Sequence, residues 1–188
     1  AGSLVDCAAQ LADQLRPDVR EALAGLKALG MDTAIISGDR MEAVSSVARD
    51  LGLFAQGGLT PQEKLDAIAA QGAQGNHVLM LGDGLNDGPA LAAGHASMAP
   101  GSASDAGKNA ADFIIMGDRL SPIVSAIKAA RRTQAIVRQN FMLAIGYNVI
   151  AVPLAIFGYV TPMIAALAMS GSSLIVIANA MRLKGATK

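Results

Sequence analysis

The first 120 residues alternate short apolar runs with longer segments in which apolar residues recur every three or four positions. Helical spacing follows Pro17, and Gly30 ends the segment. Its apolar residues are Val19, Ala22, Leu23, Leu26 and Leu29. Runs of about four apolar residues closed by Gly, Ser or Asp are typical of buried parallel strands. They lie at residues 33–36, 78–81, 96–99 and 112–116. This alternation predicts an α/β fold with a parallel sheet covered by helices on both faces.

Start and stop signals refine the predicted helices. Residues 41–51 form one helix, which Gly52 stops. The segment Thr60-Pro61-Gln62-Glu63 has the pattern of a capping box with proline at the first helical position. A helix therefore begins there and carries Lys64 in its first turn. A small helix is expected near residues 104–108, and residues 4–7 are a weaker strand candidate.

The pattern changes after Pro122. A predicted helix carries basic residues and then becomes apolar from residue 141 to 160, and a second apolar run covers residues 163–180. Each run is long enough to cross a bilayer, which predicts a transmembrane hairpin with spans at about residues 139–160 and 162–182. Basic residues flank both outer ends, so both ends are expected to be cytoplasmic. They are Lys128, Arg131, Arg132, Arg138, Arg182 and Lys184. The alternative is a buried helical pair in a soluble core. The domain boundary is placed between residues 1–120 and 121–188.

Composition agrees with a membrane-attached chain. Hydrophobic residues make up 52% and charged residues 16% of the 188 positions, and mean hydropathy is +0.40. The net charge of zero argues against a nucleic-acid partner. The single cysteine, Cys7, cannot form an internal disulfide, which fits a reducing compartment. His77 and His95 are expected to be structural, each without a second histidine nearby. The start Ala-Gly-Ser, without methionine, is expected of a piece of a longer protein.

Candidate chemistry is concentrated where the strand at residues 78–81 ends. Gly82, Asp83, Gly84, Asn86 and Asp87 follow it directly, and open α/β sheets carry their sites at the carboxyl ends of strands. Two carboxylates four residues apart can converge on Mg²⁺, with Asn86 as a helix cap or a further ligand. Gly82 and Gly84 allow the backbone to approach a phosphate. The alternative is an Asn/Asp/Gly turn with no chemical role.

Two further polar elements are expected at the same edge of the sheet. Ser37-Gly38-Asp39 ends the strand at residues 33–36, and Lys64 begins a neighbouring helix. A hydroxyl with free backbone N–H groups binds phosphoryl oxygens, and a lysine neutralises their charge. Together these elements predict phosphoryl transfer assisted by Mg²⁺. A covalent acceptor is missing, because no aspartate follows a convincing strand before Ser37.

These motifs resemble the later motifs of the haloacid dehalogenase-like phosphotransferases in their P-type ATPase form. The matching segments are Ile36-Ser37-Gly38-Asp39, Thr60-Pro61-Gln62-Glu63-Lys64 and Gly82-Asp83-Gly84-Leu85-Asn86-Asp87-Gly88-Pro89-Ala90-Leu91. The resemblance implies a partial Rossmannoid sheet, an aspartyl-phosphate intermediate and a catalytic set of Ser37, Gly38, Asp39, Lys64, Asp83, Asn86 and Asp87. It implies Mg²⁺ and ATP as cofactors, with ATP bound mainly by an upstream domain. The nucleophilic aspartate would precede this chain, and residues 1–120 would be the C-terminal portion of the phosphorylation domain.

Two spans after such a domain resemble the heavy-metal, P1B-type class, most closely the copper(I) pumps linked to cbb3-type oxidase assembly. Tyr147 and Asn148 in the first span, with Met169, Ser172 and Ser173 in the second, are similar to their metal-binding signatures. The resemblance implies Tyr147, Asn148, Met169 and Ser173 as ligands of a transported ion, and a thioether suits Cu⁺. Alternatively, Met169 only faces lipid and the serines bond their own helix. The implied partners are the bilayer of a bacterial inner membrane, Cu⁺, the upstream part of the pump and a metallochaperone.

Two other functions stay open. A membrane-anchored phosphatase of the haloacid dehalogenase type would use the hairpin as an anchor only. A non-catalytic regulatory fragment would explain the missing nucleophile. Polar residues within the spans favour the pump over an anchor, because such residues need partners in a helix bundle.

Overall fold

The computed structural model describes residues 15–83, 87–117 and 119–182, which form two compact units divided between Val124 and Ser125. The first unit has the predicted alternation of elements. In chain order these are α1 (Val19–Ala28), β1 (Ala34–Ile36), α2 (Met41–Leu51), β2 (Phe54–Gln56), α3 (Pro61–Ala73), β3 (Leu79–Leu81), α4 (Gly88–Ala93), β4 (Ala96–Pro100), α5 (Asp105–Ala110) and β5 (Phe113–Ile115). The predicted strand at residues 4–7 lies outside the described residues.

Every strand pair is parallel, as predicted, but the described strands form two sheets rather than one. β1 pairs with β2, and β3, β4 and β5 form the second sheet in that order. Ile36 of β1 packs against the core cluster that contains Met80 of β3. The two sheets are therefore in contact, although within the described ranges no strand pairing joins β1 to β3.

Helices bury their apolar faces on these sheets. Val19, Ala22 and Leu26 are the buried residues of α1, which confirms the spacing read from the sequence. Ile35 of β1 packs with Val44 and Ala48 of α2. A second cluster joins α3, β3 and α4 through Ile68, Met80, Ala90 and Leu91. Burial of these side chains holds the strand ends, and hence the candidate site, in place.

The start of α3 has the predicted capping box. The Thr60 hydroxyl accepts the Glu63 N–H at 3.3 Å, and the Glu63 carboxylate accepts the Thr60 N–H at 2.8 Å. The Thr60 N–H and hydroxyl together lower the pKa of Glu63. Because both ends of the turn are bonded, the first turn of α3 is fixed and Lys64 is held in its buried position.

The second unit is a helical hairpin. Helix α6 (Ser121–Ile156) begins in the first unit, and α7 (Pro162–Met181) follows a short turn. Both are long and apolar enough to cross a membrane. Gly158 in the turn has φ +78°, a left-handed conformation that favours glycine. Helix α6 therefore ends at Ile156, before the predicted end of the first span at residue 160, and Thr161 caps α7.

Candidate functional site

Ser37, Gly38 and Asp39 form a tight turn at the carboxyl end of β1. The Ser37 hydroxyl accepts the Asp39 N–H at 3.1 Å and donates to the Asp39 carboxylate at 3.2 Å. The main-chain N–H and C=O of Ser37 bond Gln56 and Leu59, so the following loop is fixed as well. A Cβ on Gly38 would come within 3.3 Å of the Leu59 carbonyl oxygen, which explains the glycine. The turn therefore presents a buried serine beside an exposed aspartate.

Lys64 and Asp87 form a buried ion pair. The Lys64 Nζ lies 2.8 Å from Asp87 Oδ1, and neither side chain has more than a few per cent of its surface exposed. Lys64 belongs to α3 and Asp87 immediately precedes α4, so the pair joins the polar elements that the sequence predicted to meet. The second carboxylate oxygen of Asp87 is buried and has no hydrogen-bond partner among the residues that the structure describes. A buried carboxylate oxygen of this kind is stabilised by a bound cation or a donor.

Gly82 and Asp83 follow β3 at the same strand end. The Gly82 N–H donates to the Met98 carbonyl, which continues the β3–β4 pairing. The Asp83 carbonyl accepts the N–H of Ser104 at 3.2 Å and its hydroxyl at 3.3 Å. Asp83 is half-buried, so its main chain is anchored while its side chain retains access to solvent. Gly84 and Asn86, which the sequence also assigned to this site, lie outside the described residues.

The donor set at the β3 end fits part of a Mg²⁺ site. Asp83 and Asp87 supply hard carboxylate oxygens, and Asp87 Oδ2 is the buried oxygen for which the described part of the chain supplies no partner. Within residues 15–83, 87–117 and 119–182, no group of three or more His, Cys, Asp or Glu side chains is close enough to hold a metal. The remaining ligands would therefore come from outside this set of side chains, such as phosphoryl oxygens, water or another part of the protein.

The candidate transport residues lie on the two helices of the second unit. Tyr147 and Asn148 are on α6, and the Asn148 amide donates to the Ala144 carbonyl at 2.9 Å. On α7 the hydroxyls of Ser172 and Ser173 both donate to the Met169 carbonyl. These hydrogen bonds stay within one helix, as polar side chains do when no partner faces them. Met169 is 64% exposed.

Sequence reasoning missed two contacts and one buried charged group. Ser104 was expected only near a helix start, yet it also anchors Asp83. His77 and His95 were expected to lie apart, but their rings touch edge to face with centroids 4.8 Å apart. The main-chain pairing of β3 with β4 brings these two residues together. Arg16 has a buried guanidinium that finds no hydrogen-bond partner in the described ranges, a feature with no signal in the sequence.

Several known proteins are similar to this chain. Residues 4–95 match the family model described as haloacid dehalogenase-like hydrolase. The nitrogen fixation protein FixI of Rhizobium leguminosarum bv. viciae is 53% identical over 174 residues, which cover 92% of this chain and 23% of that protein. The copper-transporting ATPase of Helicobacter felis is 42% identical over 94% of this chain and 25% of its own length.

A solved structure of a zinc-transporting PIB-type ATPase in its E2·Pi state is also similar. It superimposes with a TM-score of 0.87 and 36% identity, over 91% of this chain and 28% of that one. The chain thus spans about a quarter of the length of the curated relatives it matches. These matches cover more than nine tenths of this chain, and the chain is homologous to a segment of the P1B-type branch of the P-type ATPases, with a haloacid dehalogenase-like domain.

Proposed function

We propose that this chain is part of an ATP-driven pump that moves a soft metal ion, Cu⁺, across a membrane through an aspartyl-phosphate intermediate. The observation that carries the proposal is the buried Lys64–Asp87 pair, in which one carboxylate oxygen has no partner within residues 15–83, 87–117 and 119–182. A buried carboxylate that is only half satisfied is expensive in a purely structural role. It is well suited to a site that binds a cation and a phosphoryl group in turn.

Each strand-end residue then has a role. Ser37 and the backbone of Gly38 and Asp39 bind phosphoryl oxygens, while Lys64 neutralises their charge and orients Asp87. Asp83 and Asp87 would hold Mg²⁺, with Asn86 nearby and Gly82 and Gly84 leaving room for the phosphate. When bound, Mg²⁺ neutralises charge on the transferring group. Residues 1–120 serve as the C-terminal portion of the phosphorylation domain.

The nucleophilic aspartate comes from a strand outside the described residues. β1 and β3 each pair on one side only among those residues, and Ile36 of β1 contacts the core around Met80 of β3. A further parallel strand between β1 and β3 would pair with both. Its carboxyl end would lie between Ser37 and Asp83, where an aspartate could attack a phosphorus atom. ATP binds mainly to the upstream domain.

Copper is favoured over zinc by the donor chemistry of the hairpin. Residues 139–181 contain no charged side chain, so a divalent ion there would have no carboxylate or thiolate to neutralise it. The Met169 thioether, with the neutral oxygens and nitrogens of Tyr147, Asn148 and Ser173, suits a soft monovalent ion. Zinc is the second candidate, because a zinc-transporting relative has the same architecture.

The cellular setting follows from this function. Helices α6 and α7 span a bacterial inner membrane with both ends cytoplasmic, because the basic residues flank the outer ends of the hairpin. The upstream part of the pump completes the bundle, and a metallochaperone delivers the ion.

Phosphoenzyme formation in the full-length protein tests the proposal. Asp83→Asn removes one charge from a half-buried side chain, so we expect loss of Mg²⁺-dependent phosphoenzyme formation from ATP with little change in folding. Asp50→Asn, an exposed helical substitution, is the matched control. Normal phosphoenzyme in Asp83→Asn would remove this residue from the site.

Further measurements separate the alternatives. Mg²⁺-dependent hydrolysis of small phosphate esters that does not respond to Cu⁺ or Zn²⁺ would favour the anchored phosphatase. Absence of any phosphoenzyme in the full-length wild type would favour the regulatory fragment. The 188-residue chain alone should not hydrolyse ATP.

A further inference from the structure

A groove lies between α6 and α7 at the basic end of the hairpin. It has a volume of about 660 Å³ and is lined by Ala135, Arg138, Gln139, Met142, Leu143 and Asn179. The α6 residues recur at spacings of three and four, so they share one helix face. Asn179 lies on α7 and donates to Gln139 at 3.3 Å and to Asn140 at 2.9 Å. These hydrogen bonds connect α6 to α7 beside the groove and fix its shape.

The groove lies at the change from charged to apolar sequence. Arg138 is the last charged residue before the uncharged stretch 139–181, and Met142 and Leu143 lie one turn further into that stretch. One end of the groove is therefore cationic and polar, while the other is apolar. A phospholipid has the same division, with a phosphate above its acyl chains.

Charge along the chain favours an anionic occupant. All fifteen Asp and Glu residues precede position 119, whereas eight of the fifteen Lys and Arg residues follow position 118. The second unit therefore contains no acidic side chain that could neutralise Arg138. Arg131 and Arg132 lie within two turns before Arg138 on the same helix, and this basic row attracts anionic headgroups over zwitterionic ones.

We propose that this groove binds an anionic phospholipid of the cytoplasmic leaflet, with Arg138 on the headgroup phosphate and Met142 and Leu143 against the acyl chain. The leaflet assignment rests on the proposed topology of the pump, whereas the binding itself requires only a membrane. The Gln139 amide oxygen already accepts from Asn179, so its NH₂ group is a second donor for the phosphate.

Lipid retention by the full-length protein tests the groove. The protein is reconstituted in vesicles of phosphatidylcholine with phosphatidylglycerol as the minor component, extracted in mild detergent and analysed by native mass spectrometry. Arg138→Gln should retain about tenfold less phosphatidylglycerol, because a charge-assisted hydrogen bond is lost. Lys128→Gln removes a cation from the same helix outside the groove and should retain as much as the wild type.

A second pair of variants fills the groove without changing charge. Met142→Trp should expel the lipid, whereas Met142→Leu keeps the volume and should retain it. Equal loss in Arg138→Gln and Lys128→Gln would reduce the effect to diffuse surface charge and overturn the proposal. Full retention in Arg138→Gln, or no preference for phosphatidylglycerol in the wild type, would also overturn it.

The proposed pump function and the proposed lipid site can be refuted independently of each other. Lipid retention needs no turnover, so a wild-type protein that keeps phosphatidylglycerol but forms no phosphoenzyme refutes the pump alone. Vesicles with phosphatidylglycerol confined to one leaflet test the topology. Retention only from the leaflet opposite the catalytic domain would overturn the cytoplasmic assignment.

Discussion

At the residue scale, Asp83 and Asp87 have different surroundings although the sequence assigned them the same role. Asp87 is fully buried and paired with Lys64, whereas Asp83 is half-buried with its main chain bonded to Ser104. Sequence spacing could place both carboxylates at one strand end, but burial depends on packing of α3 and α4 that no local pattern encodes. Substitution of Asp83 therefore tests the chemistry with less effect on folding. Substitution of Asp87 also removes a buried ion pair that contributes to stability.

The Lys64–Asp87 pair leads to a stability prediction. Lys64→Met leaves a buried carboxylate without its cation, so we expect the free energy of unfolding to fall by about 3–5 kcal/mol. The double variant Lys64→Met/Asp87→Leu removes both charges and should recover much of that loss. Chemical denaturation of the full-length protein in detergent measures both. If the double variant is less stable than Lys64→Met, the single variant loses stability for a reason other than the broken ion pair.

Asp18 leads to a prediction about pH. Burial raises the pKa of Asp18, but hydrogen bonds from the N–H groups of Ser121 and Leu120 outweigh it, so the pKa lies below its ordinary value. A lowered pKa means that the stabilisation is present above the pKa of the unfolded chain and is lost as pH falls through the folded value.

Asp18→Asn should therefore destabilise the protein by about 1–2 kcal/mol near neutral pH, with a smaller difference from wild type near pH 3. Glu21→Gln, an exposed change on α1, serves as the control. Denaturation at both pH values is the measurement, and a difference that grows in acid would contradict the assignment.

At the element scale, local signals predicted most helices but not how the strands pair. The capping box of α3 and Gly52 after α2 are local devices, so the sequence located these ends. β2 was missed because Phe54-Ala55-Gln56 contains only two apolar residues, of which Phe54 is exposed. The division into two sheets could not be foreseen, since pairing depends on which strands are available to lie side by side.

The contact of α1 with the start of α6 can be tested by a double-mutant cycle. A Cβ on Gly25 would lie 3.0 Å from both methyl carbons of Val124. Gly25→Ala gains about 1 kcal/mol of helix propensity but crowds that contact. We expect Gly25→Ala to be more favourable by about 1 kcal/mol when Val124 is also alanine. Strictly additive free energies of unfolding would mean that the two residues do not constrain each other.

At the scale of the whole molecule, the hairpin predicts an orientation. Basic residues on both outer ends should face the cytoplasm, so Thr161 in the turn should face the other side. A Thr161→Cys probe in full-length protein lacking other cysteines, with Cys7→Ser, should react with an impermeant thiol reagent from outside the cell. A Lys128→Cys probe is the control and should react only after the membrane is permeabilised. Reaction of Thr161→Cys only from the cytoplasm would show that the hairpin has the opposite orientation.

The identity of the ion depends on whether the hairpin supplies a soft donor. Met169→Leu keeps volume and hydrophobicity but removes the sulfur, so folding should change little. Asn148→Leu removes an amide whose NH₂ group already bonds the Ala144 carbonyl, which leaves its oxygen as the group available to an ion. We expect both variants to weaken Cu⁺-stimulated ATP hydrolysis by the full-length protein at least about tenfold, as loss of one ligand does elsewhere.

Phosphorylation by inorganic phosphate separates a ligand role from damage to the catalytic domain. It should persist in Met169→Leu and Asn148→Leu, because the residues of the phosphoryl site lie in the first unit. Met163→Leu, at the start of α7, controls for loss of any thioether in the hairpin. Equal Cu⁺ activation in Met169→Leu, Asn148→Leu and wild type would remove these residues from the transport site. A wild-type protein that responds to Zn²⁺ and ignores Cu⁺ would overturn the copper assignment, because a neutral donor set favours the softer ion.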